Sequence, residues 1–106
     1  MDVTERIRAS LQAHPVVLFM KGSREYPMSE GCARAVAALE QAGARFEAVN
    51  VLEDPELRAA LPRFADWPDF PQLFVQGEII GGSDITVELL ESGELARIAR
   101  ELRDDA

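Results

Sequence analysis

Trp67-Pro68-Asp69-Phe70-Pro71-Gln72-Leu73-Phe74-Val75-Gln76-Gly77-Glu78-Ile79-Ile80-Gly81-Gly82-Ser83-Asp84 is the stretch on which the reading of the fold turns. Proline has no N–H to donate, so Pro68 and Pro71 mark residues 67–71 as a connection rather than a strand interior. Gln72–Val75 and residues 78–80 are short runs rich in apolar residues on either side of Gln76-Gly77, the pattern of an antiparallel hairpin with a two-residue turn. Gly81-Gly82 ends the second run, and Ser83-Asp84 is placed to cap a helix reaching Leu90.

Upstream, Val3, Ile7 and Leu11 recur every four positions and predict a first helix ending near His14-Pro15. Val16-Val17-Leu18-Phe19-Met20 reads as a strand buried on both faces. A polar loop with Gly22 and Pro27 follows, and Ser29 caps a second helix that turns Val36 and Leu39 inward and stops at Gly43. Residues 46–51 alternate as a second strand. Asp54-Pro55 supplies the cap and first-turn proline of a third helix bearing Leu57 and Leu61, which Pro62 is expected to kink or break. Downstream, Leu95, Ile98 and Leu102 mark a last helix. The order αβαβαββαα, two strands separated by a helix and then a hairpin, predicts an α/β fold with a four-stranded mixed sheet flanked by helices. The chain of 106 residues shows no repeat, low-complexity stretch or linker and is expected to form one domain over residues 1–106.

Eleven Lys and Arg against 19 Asp and Glu give a net charge of -8, which argues against a nucleic-acid backbone as partner. No apolar run approaches the roughly 20 residues that span a bilayer, so no membrane partner is expected. Met1-Asp2-Val3-Thr4-Glu5-Arg6 lacks the basic-then-apolar order of a secretory signal, and a cytoplasmic protein is expected. Cys32 is the only cysteine, which excludes an intrachain disulfide and a four-cysteine metal site, so no metal ligands are assigned within one chain.

Ser29 and Cys32 are the residues on which any thiol chemistry depends. A serine hydroxyl at a helix start caps the helix but supplies no thiolate. Nor does a serine hydrolase reading have support, because His14, the only histidine, precedes the first strand and offers Ser29 no base. Cys32 has two readings: a small buried hydrophobe, or a regulatory thiol whose pKa is lowered by its first-turn position.

The pieces Met20-Lys21-Gly22-Ser23, Ala35-Val36, Pro55-Glu56-Leu57-Arg58, Trp67-Pro68, Phe70-Pro71-Gln72-Leu73 and Gly81-Gly82-Ser83-Asp84-Ile85 occur in an order that resembles the monothiol glutaredoxins. The resemblance extends from the first helix to about Glu101 and implies a thioredoxin-like (glutaredoxin) fold. An ungapped alignment lays Ser29-Glu30-Gly31-Cys32 on the family's Cys-Gly-Phe-Ser signature, differing at all four positions and placing Ser29 at the nucleophile position. Moving Cys32 there requires an insertion and a matching deletion that break the register of Ala35-Val36. No catalytic residue is therefore assigned firmly. Cys32 remains a candidate thiol, at the place where dithiol relatives carry the resolving cysteine, and is expected to point partly under the helix start.

The same resemblance implies glutathione-binding positions. Lys21 and Arg58 match the residues that hold the glycine carboxylate. Phe70-Pro71 matches a cis-proline bond whose preceding residue offers its backbone to the cysteinyl part. Ser83 and Asp84 match the loop that receives the γ-glutamyl end, with Asp84 accepting from the ligand ammonium, capping its own helix, or both. Trp67 is expected beside this groove, and Tyr26 at its mouth or over the loop. Glu25 and Glu30 depart from the family by adding negative charge near an anionic ligand. Family dimers hold a [2Fe–2S] cluster through one active cysteine per chain and two glutathione thiols. A protonated Ser29 oxygen is a poor substitute, so no cluster is expected. The function implied is a glutaredoxin-related binding or adaptor protein, a monomer or weak dimer, whose partners are glutathione and a BolA-type, iron–sulfur assembly or client protein. Two alternatives stand beside it: glutathione-dependent monothiol exchange at Cys32, and [2Fe–2S] delivery.

Overall fold

The hairpin forms as its turn chemistry dictates. Gln72–Val75 (β3) and Glu78–Gly81 (β4) pair antiparallel, and both turn residues, Gln76 at φ 49° and Gly77 at φ 83°, take the positive φ of a type I′ turn. The computed structural model describes residues 1–103. Before the hairpin come α1 (Val3–Ala13), β1 (Val16–Met20), α2 (Glu30–Gln41), β2 (Glu47–Asn50), a single 3₁₀ turn (Val51–Glu53) and α3 (Pro55–Ala65); after it come α4 (Ser83–Ser92) and α5 (Glu94–Arg103). The sheet order is β2-β1-β3-β4, with β1 parallel to β2 and antiparallel to β3. This is the mixed four-stranded sheet expected from the sequence.

β1 is central and buried along its whole length, and its alternating side chains feed two core layers. Val16, Leu18 and Met20 pack with Cys32, Ala35, Val36 and Leu39 of α2 and with Leu95 and Ala99 of α5. Val17 and Phe19 pack with Ile7 and Leu11 of α1, Leu57 and Leu61 of α3, and Phe74 of β3. Phe19 and Phe74 meet edge to face, their ring centroids 5.6 Å apart. Among the described residues no helix is long and apolar enough to cross a membrane.

Three local expectations are corrected. The second strand is shorter than residues 46–51: Val51 turns into the 3₁₀ segment because Asn50 Oδ1 accepts from Leu52 N–H at 3.0 Å and closes the chain there. Pro62 does not break α3. It lies near the end of that helix, where burial of Leu61 and Ala65 carries the last turn past the missing hydrogen bond to Arg58 O. Finally, Ser83 and Asp84 do not cap α4. Gly82 holds the cap position without a side-chain hydrogen bond, and Ser83 is already helical.

Candidate functional site

The ends of four elements meet at one end of the sheet, beyond its two central strands. Ser29 is the N-cap of α2, extended at φ −149° and ψ 157°, and its Oγ accepts from Cys32 N–H at 3.1 Å. The Cys32 side chain is fully buried, and its Sγ accepts from Lys21 N–H at 3.4 Å, tying the end of β1 to the first turn of α2. Of the two readings of Cys32, the structure places the residue as the first describes it, inside the core.

Pro71 enters from β3. Phe19 of β1 is opposite Gln72, which sets Pro71 beyond the pair at the exit of β1, and the Phe70–Pro71 bond is cis as its motif implied. Gly31 brings the first turn of α2 against the same point: a Cβ there would lie 3.2 Å from Ser83 Oγ and 3.5 Å from Pro71 Cδ. Ser29, Gly31, Pro71 and Ser83 thus belong to one locality although the chain separates them by as many as 54 positions.

A cleft of about 350 Å³ opens beside it, lined by Trp67, Phe70, Pro71, Ser83, Asp84 and Glu88 among others. Four of the six expected glutathione positions, Phe70, Pro71, Ser83 and Asp84, therefore share one cleft. Lys21 and Arg58 do not line it. Lys21 is half-buried at the end of β1, and its carbonyl accepts from Met28 N–H at 2.9 Å. Arg58 is exposed on α3, and its guanidinium has no ionic partner among the described residues. Ahead of that helix, Asn50 ties the 3₁₀ turn to the loop after β1, its Oδ1 also accepting from Gly22 N–H at 3.0 Å. Asp54 caps it at Leu57 N–H and pairs with Arg6 at 2.6 Å; the Arg6 guanidinium, and after it the Leu57 N–H, hold the Asp54 carboxyl below the usual carboxylate range.

The cap at Gly82 has a steric cause. A Cβ there would lie 3.3 Å from Trp67 Nε1 and 3.4 Å from Pro71 O, so the indole covers the spot where a capping side chain would sit. Asp84 instead reaches Arg34 of α2 at 3.2 Å, with its side chain 91% exposed. Tyr26 is 78% exposed on the loop before α2 and does not line the cleft. Arg34 and the buried amide of Gln72 went unread in the sequence. Arg34 carries no local signal, since its partner is 50 residues away; Gln72 was visible as a polar residue opening an apolar strand.

An iron–sulfur cluster does not fit this donor set. The one thiol is beneath the helix and already accepts a hydrogen bond, and Ser29 offers a hydroxyl where thiolate is wanted.

The family model for glutaredoxin matches residues 16–80. The chain belongs to the glutaredoxin family. Among its relatives, Glutaredoxin 4 of Escherichia coli K12 is 44% identical over 97 residues, covering 92% of this chain and 84% of the relative. The solution structure of reduced poplar apo GrxS14 superposes with a TM-score of 0.79 at 40% identity, covering 93% of this chain and 91% of that one. The crystal structure of a buckwheat glutaredoxin–glutathione complex gives a TM-score of 0.80 at 24% identity, over 93% and 88% of the two chains, a likeness of fold. The family thus accounts for the four-stranded mixed sheet flanked by helices.

Proposed function

We propose that this single-domain glutaredoxin binds glutathione and acts as a binding or adaptor protein rather than as a thiol–disulfide oxidoreductase. One observation carries the reading: the position at the head of α2 beside cis-Pro71 is a serine engaged in capping, and the only cysteine is fully buried. Thiol exchange begins with a thiolate attacking a disulfide sulfur. Ser29 cannot make that attack, and Cys32 cannot reach a disulfide without leaving the core. The departure from the family signature therefore removes the reaction while leaving the scaffold.

The glutathione reading rests on chemistry around the cleft. The backbone of Phe70 precedes a cis-proline and is suited to strand-like pairing with an extended peptide. The start of α4 carries unpaired N–H groups and a partial positive charge that favour the γ-glutamyl carboxylate. Lys21 and Arg58 supply cations for the other carboxylate. Binding of glutathione by the buckwheat relative supports the assignment. The proposed protein partners are of the BolA or iron–sulfur assembly type, met in the reducing cytoplasm where an unpaired cysteine persists.

Titration with glutathione followed by NMR tests this. Saturable shifts are expected at the amides of Lys21, Arg58, Phe70, Ser83 and Asp84. Lys21→Gln is expected to weaken binding roughly tenfold, the loss of one charge-assisted hydrogen bond at a partly solvated site. No shifts at millimolar ligand would overturn the reading.

A further inference from the structure

Gln72 and Thr86 are the fully buried polar side chains among the described residues, and they differ in how they are satisfied. Thr86 donates its hydroxyl to Gly82 O at 2.7 Å. Gln72 donates Nε2 to Trp67 O at 3.0 Å, whereas its Oε1 is buried with no hydrogen-bond partner among the described residues. A carbonyl buried this way carries an uncompensated desolvation cost, and its neighbours Leu73 and Phe74 show that the strand accepts apolar side chains. Methionine would fill a similar volume at no such cost. Whatever keeps an amide at this position must therefore lie in its donor half.

That donor closes the connection between α3 and β3. The bond from Gln72 Nε2 to Trp67 O spans residues 67–72 with the cis Phe70–Pro71 bond inside the loop. Trp67 then lies over Gly81 and Gly82, where a Cβ would be 3.8 Å from Cη2 and 3.3 Å from Nε1 respectively. Trp67, Phe70 and Pro71, all from this connection, line the cleft as one wall that continues to Gly82 and Ser83.

We propose that Gln72 is a positioning residue that fixes the Trp67–Phe70–Pro71 wall of the cleft, at a cost in stability from its unpaired carbonyl. As a statement about ligand binding it rests on the glutathione reading above; as a statement about the wall it stands alone. Removing the amide loosens the wall without emptying the core.

Trp67 is the only tryptophan, so intrinsic fluorescence reports this wall directly. In ligand-free Gln72→Met, acrylamide quenching of Trp67 is expected to rise while the thermal midpoint equals or exceeds that of the parent. Its glutathione dissociation constant is expected to rise roughly tenfold, the upper end of one neutral hydrogen bond. Unchanged quenching overturns the proposal, as does a lowered midpoint with unchanged glutathione affinity. Should the parent bind no glutathione, the functional reading falls, and the quenching comparison still decides the role of Gln72. Should Gln72→Met fail to fold, Gln72→Glu decides: a buried protonated carboxyl donates to Trp67 O and an ionised one does not. Its Trp67 quenching is then expected to increase between about pH 5 and pH 8, and a profile as flat as the parent's overturns the proposal.

Discussion

Ser29→Cys in a Cys32→Ala background installs a thiol at the N-cap of α2, and the structure sets the size of the effect. The second substitution is needed because cysteines at positions 29 and 32 would stand at the cap and in the first turn, close enough to pair. Ser29 Oγ lies 3.1 Å from Cys32 N–H and faces the unpaired donors of a helix start. An anion in the first turn of a helix gains about 0.3–1 kcal/mol, and up to ~2 kcal/mol when partly buried. With 1.36 kcal/mol per unit, a thiol of ordinary pKa about 8.5 should titrate at roughly 7–8. The thiolate fraction at pH 7 then rises from about 3% to between roughly a tenth and a half. The assay is the pH dependence of the iodoacetamide alkylation rate on folded protein. The parent is expected to stay unmodified on the same timescale, since Cys32 is fully buried. A midpoint at or above about 8.5 would refute the claim that this helix start favours an anion at position 29, and rapid labelling of the folded parent would refute the buried placement of Cys32.

Two further perturbations probe the frame that carries the site. Asp54→Ala removes the cap of α3 and the partner of Arg6, so its thermal midpoint should fall at neutral pH. Because Arg6 holds the folded-state Asp54 pKa below its unfolded value, the contribution of this group is present above about pH 4 and is lost as pH falls through the folded pKa. The gap between parent and variant midpoints should therefore narrow on acidification in that range; a constant gap would show that the pair contributes nothing. Gly81→Ala puts a Cβ 2.4 Å from Ile85 Cγ2 on a backbone at φ +149°, and urea denaturation should show a loss of about 1–3 kcal/mol, whereas a change below about 0.5 kcal/mol would contradict the close packing of β4 on α4.

Much of the site was legible because the signals that carry it are local. Pro71 after an aromatic residue, the Gln76-Gly77 turn, the Asp54-Pro55 helix start and the serine at position 29 each act within a few residues. The expected break at Pro62 is absent because the burial of Leu61 and Ala65 outweighs local helix propensity. Ser83 was read as a cap on residue type alone, and Trp67, 15 positions before Gly82, decides otherwise by covering the place where a capping side chain would stand.

The sequence by itself determined the element order, the hairpin and hence the mixed sheet, the family, and the presence of a single thiol, because periodicity, turn residues and composition are written in neighbouring positions. Tertiary structure alone decided that Cys32 lies inside the core with Lys21 N–H on its sulfur, that Asp84 faces Arg34, and that the buried Gln72 amide donates to Trp67 O. Those outcomes depend on which surfaces the packed helices and strands press together, and burial converts such contacts from solvent-screened options into obligations.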